Sequence, residues 1–169
     1  DVMNIKKIRV DKEGAGMGWG AVYAQYLESM DQISGQGNGL SVSRQLYKGD
    51  EALNESAPLK VGDKITVRLT VKADRDMDFV QIKDDRAACM EPLQAVSGFR
   101  WSNGLGYYQA TKDASTQFFI DQMRKGTYVI EYQVYVNRTG EYQTGIATVQ
   151  SAYAPEFGGH TGGYRVMVE

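Results

Sequence analysis

Hydrophobic side chains recur at every second position over much of this chain, and that period is the strongest constraint on its fold. The stretch ITVRLTV (65–71) places four aliphatic residues on one side and Thr66, Arg68 and Thr70 on the other. The stretch YVIEYQVYV (128–136) alternates in the same way. A period of two is that of a β-strand with one buried face. The sequence therefore predicts a half-buried strand in each stretch.

Shorter segments repeat this alternation along the chain. They cover residues 3–10, 19–28, 39–47, 78–83, 116–121, 141–153 and 164–168. The breaks between segments, among them NGLG, NRTG and GGHTGG, contain glycine or asparagine, which tolerate the positive φ of turns. Helical character is weak, and Pro92 limits the stretch 84–95 to a short turn. About nine short strands without helices between them predict an all-β fold, an antiparallel Greek-key sandwich of the fibronectin or immunoglobulin type.

One tyrosine supports the Greek-key arrangement. In KGTYVIEYQV, Gly126 precedes Tyr128 by two residues and Ile130 follows it by two. This spacing is typical of a tyrosine corner, whose hydroxyl ties the start of a strand to the connection that crosses between the sheets. Ile130 occupies the position that holds a cysteine in immunoglobulin domains, and Cys89 is the one cysteine of the chain. We therefore predict a sandwich without a disulfide.

Two glycine-rich stretches separate the N-terminal part from the rest. EGAGMGWGAVYAQY (13–26) leads into one predicted strand, and SGQGNG (34–39) precedes the next. We place a domain boundary near residue 35. Residues 1–34 are predicted to be linking strands from or toward a preceding domain, and residues 35–169 to form the sandwich. Because the chain opens with Asp-Val and not with methionine, we expect it to be a piece of a longer protein.

Composition excludes several classes of function. The 169 residues are 42% hydrophobic and 24% charged, which is typical of a globular domain. The net charge of −2, with acids and bases interleaved, lacks the basic surface of a nucleic-acid-binding protein. No run approaches the roughly 18 apolar residues of a membrane span. We therefore expect no nucleic-acid partner and no membrane insertion by this segment.

Three short motifs suggest chemistry but lack its full requirements. GAGMGWG is followed by a strand-like pattern, whereas a dinucleotide fingerprint needs a helix there. The acids of ADRDMD (73–78) have the spacing that starts a calcium loop, but Phe79 and Asp85 stand where an EF-hand requires glycine and glutamate. A lone cysteine such as Cys89 is more often a small buried residue than a nucleophile. We therefore predict no metal, no cofactor and no catalytic residue.

The stretch YAPEFGGHTGG (153–163) holds the single histidine. Glu156 and His160 have the residue types of an acid–base pair, but no nucleophile stands in a strained elbow beside them. A zinc site would need three or four ligands. Pro155 ends strand pairing, Phe157 turns inward and the glycines reverse the chain. We predict a loop in which His160 is exposed.

The stretch FRWSNGLGYYQ (99–109) groups four aromatic residues around a glycine hinge. Exposed rings would form a contact platform for a protein partner or a sugar. The alternative is a folded-back loop whose rings lie at the edge of the core, and the sequence leaves both interpretations open. The candidate interaction surface consists of Phe99, Trp101, Tyr107, Tyr108 and Phe157.

From residue 59 onward the chain resembles the extreme C-terminal domain of bacterial alpha-2-macroglobulin-like proteins, especially those of Bacteroidetes. The most specific pieces are MDFVQIKD, KGTYVIEY, GEYQTGIATVQ and YAPEF. The preceding GMGWGAVYAQYLE is similar to the glycine-led strand that enters that domain. In the family a thioester joins the cysteine and glutamine of Cys-x-Glu-Gln. Here Cys89-Met90-Glu91 is followed by Pro92, which has no carboxamide, so no active-site residue is carried over.

The resemblance implies a function as well as a fold. It implies a large exported protein, periplasmic or associated with the outer membrane or cell surface, that entraps proteases after they cut a bait segment. This domain would be non-catalytic, with other domains of the parent chain as direct partners, and host or competitor proteases as partners of the parent. One rival is a carbohydrate- or cell-envelope-binding module that uses the same aromatic residues. A second rival is a hydrolase using Cys89 or His160.

Overall fold

The computed structural model describes residues 7–21, 27–54 and 57–169. In these residues regular structure begins with a short 3-10 helix, Met30–Gln32, and continues with fourteen strands. The strands are β1 Gln36–Asn38, β2 Leu40–Lys48, β3 Glu51–Ala52, β4 Lys64–Ala73, β5 Met77–Asp85, β6 Met90–Pro92, β7 Gly98–Ser102, β8 Leu105–Thr111, β9 Ser115–Met123, β10 Gly126–Val136, β11 Gly140–Thr144, β12 Ala147–Ser151, β13 Gly158–His160 and β14 Tyr164–Val168. The predicted all-β class is confirmed.

The strands form two facing layers. One layer has the order β6-β10-β4-β2, with β3 beside β2, and the other has the order β12-β5-β9-β8-β7. Strands β1 and β13 join the layers, so the hydrogen-bonded path is continuous. Six strands separate β10 from β9 along this path, yet the rings of Tyr132 and Phe118 lie 5.9 Å apart between centroids. The path therefore folds over itself into a sandwich. Strands β11 and β14 form a separate antiparallel pair.

The core follows the alternation seen in the sequence. In β4 every second residue from Ile65 to Ala73 is buried, and the residues between them are half-buried or exposed. In β10 the same alternation runs from Ile130 to Val136. Apolar side chains buried from two facing layers exclude water between them, which is the main stabilising contribution in a sandwich of this kind. Both strand predictions are confirmed.

The predicted tyrosine corner is present where the chain crosses between layers. The hydroxyl of Tyr128 donates to the carbonyl oxygen of Arg124 at 3.0 Å, in the connection from β9 to β10. The amide of Lys125 donates to Asp76 Oδ1 at 2.7 Å, and Asp76 lies in the crossing from β4 to β5. The two crossings are therefore bonded to each other as well as to the strands they join. Cys89 is free and buried.

The predicted strand 141–153 is wrong as a single element. It divides into β11 and β12, which belong to different sheets. The division falls at Gly145, where a Cβ atom would lie 2.3 Å from the Cβ of Asp85. The chain can approach β5 this closely only without a side chain, and it leaves one sheet for the other at that point. The sequence pattern does not reveal this contact because it depends on a residue sixty positions away.

The predicted exposed loop around His160 is also wrong. Gly158–His160 is strand β13 and pairs with β1 on one side and β12 on the other. A Cβ atom on Gly159 would lie 2.7 Å from the carbonyl oxygens of Gln36 and Leu40. The glycines therefore serve close approach of neighbouring backbones and not reversal of the chain. His160 is half-buried.

The two N-terminal strand predictions fall partly outside the described residues. Residues 1–6 and 22–26 are not described, and residues 7–10, 19–21 and 27–28 have no strand. The interpretation of residues 1–34 as linking strands stays a prediction.

Candidate interaction surface

A tight hairpin at the edge of one layer presents the aromatic cluster. Asn103 and Gly104 connect β7 to β8 with φ values of 50° and 79°. Positive φ at both central residues defines a type I′ turn, whose twist matches that of the flanking strands. Ser102 and Leu105 face each other on either side of the turn. The turn predicted from NGLG is confirmed, and it sets the register of every residue in the hairpin.

Three aromatic residues form a row across the outer face of this layer. Phe99 on β7 faces Tyr108 on β8, and Tyr108 faces Phe119 on β9. The rings of Phe99 and Tyr108 meet edge to face, with centroids 5.1 Å apart and an interplanar angle of 75°. Phe99 is 79% exposed and Phe119 is 40% exposed. The row is thus apolar surface in contact with solvent.

Trp101 extends this surface by two residues along β7, to the next position on the same face. It is 77% exposed and faces Gly106 of β8. Its ring atoms Cζ3 and Cε3 lie 2.7 and 2.8 Å from the place a Cβ of Gly106 would take. The missing side chain makes room for the indole on the outer face. We call Phe99, Trp101, Tyr108 and Phe119 the aromatic face.

The remaining two candidates are placed differently. Tyr107 is 6% exposed, its ring lies 5.6 Å from that of Phe118, and burial raises the pKa of its hydroxyl. Phe157 is half-buried against the core, with the Arg75 guanidinium 4.7 Å from its ring centroid. Because adjacent strand residues point to opposite faces, Tyr107 lies inside and Tyr108 outside. Tyr107 therefore follows the folded-back alternative, while Phe99, Trp101 and Tyr108 lie on the outer face, where their role as a contact platform stays a prediction.

Sequence reasoning missed three aromatic residues beside this surface. Phe119 follows the buried Phe118, and such a doublet in a strand places one ring on each face. Phe79 has a φ of 52°, which turns its side chain outward, where it packs edge to face against Tyr153 at 5.0 Å. No sequence signal reveals that backbone conformation, because phenylalanine rarely adopts it.

A groove of about 1060 Å³ borders the aromatic face and is also lined by Arg100 and Tyr107, which belong to the opposite face of the layer. Phe79, Trp101 and Phe119 contribute aromatic rings to it. Its charged lining residues are two acids and two bases, Asp78, Asp121, Arg100 and Arg124. The groove therefore combines apolar rings with a lining that carries no net charge.

A buried ionic network joins the two layers beneath this surface. Arg44 Nη1 donates to Asp84 Oδ1 at 2.5 Å, and the Tyr132 hydroxyl donates to Asp84 Oδ2 at 2.7 Å. Arg44 Nη2 donates to Thr144 Oγ1 at 2.6 Å and to the Gly145 carbonyl at 2.7 Å. Burial raises the pKa of the Asp84 carboxyl, while Arg44 and Tyr132 act in the opposite direction. The network holds strands of the two layers together. Asp84 does not line the groove beside the aromatic face.

The residues of the hydrolase hypothesis do not form one site. Cys89 is fully buried before β6, and burial raises the pKa of its thiol. His160 lies in β13, and four strands separate β6 from β13 along the sheet. His160 Nδ1 lies 3.1 Å from the carbonyl oxygen of Thr161. The backbone carbonyl of Glu156 accepts a hydrogen bond from the Asn38 side chain. Among the described residues, no hydrogen bond joins His160 and Glu156.

The acids with calcium-loop spacing are engaged in the crossing between β4 and β5. Asp74 pairs with Arg75, and Asp76 accepts from the Lys125 amide. Among residues 7–21, 27–54 and 57–169, no three His, Cys, Asp or Glu side chains lie close enough together to hold a metal ion. Within the same part of the chain, no helix has the length and apolar character needed to span a membrane.

These features define a class of protein: a two-layered β-sandwich module that presents an aromatic surface. A family model for the MG10 domain of bacterial alpha-2-macroglobulin matches residues 39–156. The chain belongs to this family. Domains of this type are non-catalytic, immunoglobulin-like modules of alpha-2-macroglobulin-like proteins.

Solved structures show the same fold. Salmonella alpha-2-macroglobulin reacted with methylamine matches with a TM-score of 0.68 and 19% identity, over 80% of this chain and 10% of that one. Trypsin-activated alpha-2-macroglobulin from Escherichia coli matches with a TM-score of 0.68 and 15% identity, over 81% of this chain and 11% of that one. At these identities the likeness concerns the fold.

One curated relative matches in sequence. Circularly permutated Ras protein 2 of Dictyostelium discoideum is 27% identical over 166 residues, which cover 94% of this chain. The chain spans only 4% of the length of that relative.

Proposed function

We propose that this chain is the docking domain of an exported alpha-2-macroglobulin-like protease inhibitor. Its aromatic face packs against a neighbouring domain of the same parent chain. The observation that supports this proposal is the row of outward aromatic rings, in which Phe99 and Trp101 are 79% and 77% exposed. Aromatic residues are enriched at the centres of protein interfaces, because they bury much apolar area with few rotatable bonds.

The size of the aromatic face suits an interface between domains. A standard interface buries about 800 Å² on each partner. An aromatic side chain buries about 150–250 Å² when it is fully covered. Phe99 and Trp101, each more than three-quarters exposed, would therefore supply most of the centre of one interface, with smaller contributions from the partly covered Tyr108 and Phe119. Asp121 and Arg124 from the groove lining are available for its polar rim.

The proposed role in the parent protein follows from family membership. Proteases would be partners of the parent and not of this domain, which would move with its neighbours when the bait is cut. The location would be periplasmic or at the cell surface, in a bacterium of the Bacteroidetes type. One similar structure is a trypsin-activated alpha-2-macroglobulin, which makes trypsin a suitable test protease.

The N-terminal residues are proposed to link this domain to the one before it. Met17 and Trp19 are 86% and 90% exposed, which is unusual for large apolar side chains that have no further contact to make. A neighbouring domain that covers them would account for their presence before the sandwich.

The experiment uses the complete parent protein and trypsin. The parent is expected to block trypsin cleavage of a large protein substrate. A Phe99→Ala/Trp101→Ala variant of the parent should release the C-terminal domain to limited proteolysis more rapidly, while the same changes leave the melting temperature of the 169-residue chain nearly unchanged. Tyr135→Ala is the matched control, because Tyr135 is a 40% exposed ring on the other layer.

Two results would count against the proposal, each against a different part. A parent that does not slow trypsin on the large substrate contradicts the inhibitor role. A double variant that behaves like Tyr135→Ala contradicts docking through the aromatic face.

The groove favours one second candidate, a carbohydrate-binding module. Aromatic rings beside a lining of balanced charge suit a neutral polyhydroxylated ligand, which stacks on the rings and hydrogen-bonds to the acids and bases. A glycan array probed with the 169-residue chain tests this directly. Saturable binding that Trp101→Ala abolishes would favour the sugar ligand over domain docking.

A further inference from the structure

We propose that the free edge of β7 accepts an extended segment of the parent polypeptide as an added β-strand. This inference rests on the proposed docking function and names the kind of contact by which docking occurs. The added segment would carry apolar side chains over Phe99 and Trp101 and an acidic side chain opposite Arg100.

The register of the hairpin identifies which backbone groups are free. In a two-residue hairpin, the residues that flank the turn exchange hydrogen bonds, and further pairs alternate between bonded and non-bonded. Ser102 flanks the turn, so Ser102, Arg100 and Gly98 direct their amides and carbonyls toward β8. Phe99 and Trp101 direct theirs away from β8. Since β7 ends the sheet order, these two amides and two carbonyls have no neighbouring strand among the described residues.

The same two residues carry the exposed rings. Side chains at non-bonded positions approach their cross-strand partners most closely, which agrees with the 5.1 Å ring contact of Phe99 and the close fit of Trp101 over Gly106. An added strand would thus find backbone donors and acceptors and a ring at each of these positions. Backbone bonds would supply affinity and the rings would supply side-chain selectivity.

The β7 edge has little of the usual protection against strand addition. Edge strands are normally very short, carry charged side chains or proline, or contain a bulge, and the one charge in β7 is Arg100. At the opposite end of the same sheet order, β6 has three residues and contains Pro92. Strand β7 has five residues, GFRWS, with neither proline nor lysine. Apolar surface continues beside it, since Val96 in the preceding connection is 75% exposed.

The charged residue of β7, Arg100, indicates one further property of the added segment. Arg100 is exposed, and its hydrogen bond from Nη2 to the Val96 carbonyl is long, at 3.4 Å. No ion pair to Arg100 exists within the described residues. Its side chain points to the opposite face from Phe99 and Trp101 because strand residues alternate. A carboxylate on the corresponding face of the added strand would pair with it.

The parent chain is the source that fits best. The chain spans about a tenth of the Salmonella structure it matches, so proteins built this way carry long stretches of polypeptide beside such a domain. A tethered segment reaches an effective concentration on the order of millimolar, which suffices for a short strand that a free peptide would occupy poorly.

Amide hydrogen exchange tests the inference at single residues. In the 169-residue chain, the amides of Phe99 and Trp101 should exchange rapidly, while those of Arg100 and Ser102 are protected by β8. In the parent protein, the amides of Phe99 and Trp101 should exchange at least roughly tenfold more slowly, because they then donate to the added strand. Equal exchange of these two amides in the parent and in the 169-residue chain would overturn the inference.

A pair of variants separates the backbone contact from the ring contact. Trp101→Ala and Trp101→Pro both remove the indole, but only proline removes the free amide, and at that position no bond to β8 is lost. In the 169-residue chain the two variants should melt at similar temperatures. In the parent, Trp101→Pro should speed exchange at Phe99 roughly tenfold beyond Trp101→Ala. Similar exchange in the two variants would contradict strand addition.

Other outcomes assign the edge differently. Protection of Phe99 in the 169-residue chain that rises with its concentration would assign the edge to a second copy and overturn the parent-chain source. A parent that blocks trypsin while the amides of Phe99 and Trp101 exchange freely would contradict strand addition and would leave the inhibitor role supported. Protected amides in a parent that does not block trypsin would support strand addition and contradict the inhibitor role.

Discussion

Replacing Asp84 with alanine would remove the single carboxylate from the ionic network between the layers. The side chains of Arg44 and Asp84 are 5% and 1% exposed. Asp84 accepts one hydrogen bond from Arg44 and one from Tyr132. The substitution would leave the guanidinium buried with neutral partners, Thr144 and the Gly145 carbonyl, and would leave the Tyr132 hydroxyl without an acceptor.

The size of the loss in stability follows from the burial of the Arg44 charge, which remains after the substitution. Removing one partner of a buried ion pair costs about 3–5 kcal/mol, because the other charge stays desolvated without compensation. For a chain of this length each kcal/mol corresponds to about 2–4 °C, so the melting temperature should fall by roughly 6–20 °C. Tyr132→Phe removes only one hydrogen bond to a charged group and should cost about 1.5–3 kcal/mol.

A surface ion pair in the same sandwich is the matched control. Arg68 Nε lies 2.5 Å from Glu131 Oε1, the same distance as in the buried pair, but these side chains are 42% and 44% exposed. Glu131→Ala should cost about 0–1 kcal/mol, because water solvates the guanidinium that remains. Burial, and not the length of the contact, is thus the variable that differs between the two substitutions.

Urea denaturation of the 169-residue chain, followed by circular dichroism, measures both free energies of unfolding. The reasoning is refuted if Asp84→Ala costs no more than Glu131→Ala. It is also refuted if Tyr132→Phe costs more than Asp84→Ala, since the larger effect would then come from the tyrosine and not from the orphaned charge.

Two further predictions concern Cys89 and a closely packed glycine. Because Cys89 is fully buried and burial raises the pKa of its thiol, iodoacetamide at pH 8 should label it in urea and leave it unmodified in the folded chain; rapid labelling without urea would contradict its placement. Gly145→Ala should cost about 1–3 kcal/mol in urea denaturation, because the new Cβ would lie 2.3 Å from that of Asp85. Gly98→Ala, which meets nothing within 4 Å, should be close to neutral, and equal effects at the two glycines would contradict the contact.

The local sequence pattern was sufficient to predict the fold class and several of the strands and turns. Alternation in 65–71 and 128–136 predicted the buried faces of β4 and β10, and glycine two residues before Tyr128 predicted its corner bond. These features involve residues close together in the sequence, so they can be recognised from one sequence alone. The division at Gly145 and strand β13 were missed, because glycine placed for close backbone approach looks the same in sequence as glycine placed for a turn.

The candidate surface could be predicted only in part. An aromatic cluster at 99–109 was evident, but which of its rings are exposed depends on the register between β7 and β8. Phe119 and Phe79 joined the surface from strands distant in sequence. The pairing of Arg44 with Asp84 links residues forty positions apart, and no period in the sequence connects them.

Period-two alternation and turn residues were enough to specify an antiparallel sandwich, because they act over a few neighbours in the chain. The burial of Tyr107 beside an outward Tyr108, the strand at His160 and the unpaired edge of β7 among the described residues were set by tertiary packing. Each of these depends on which distant strand lies alongside, and that is settled by packing two complete layers against each other.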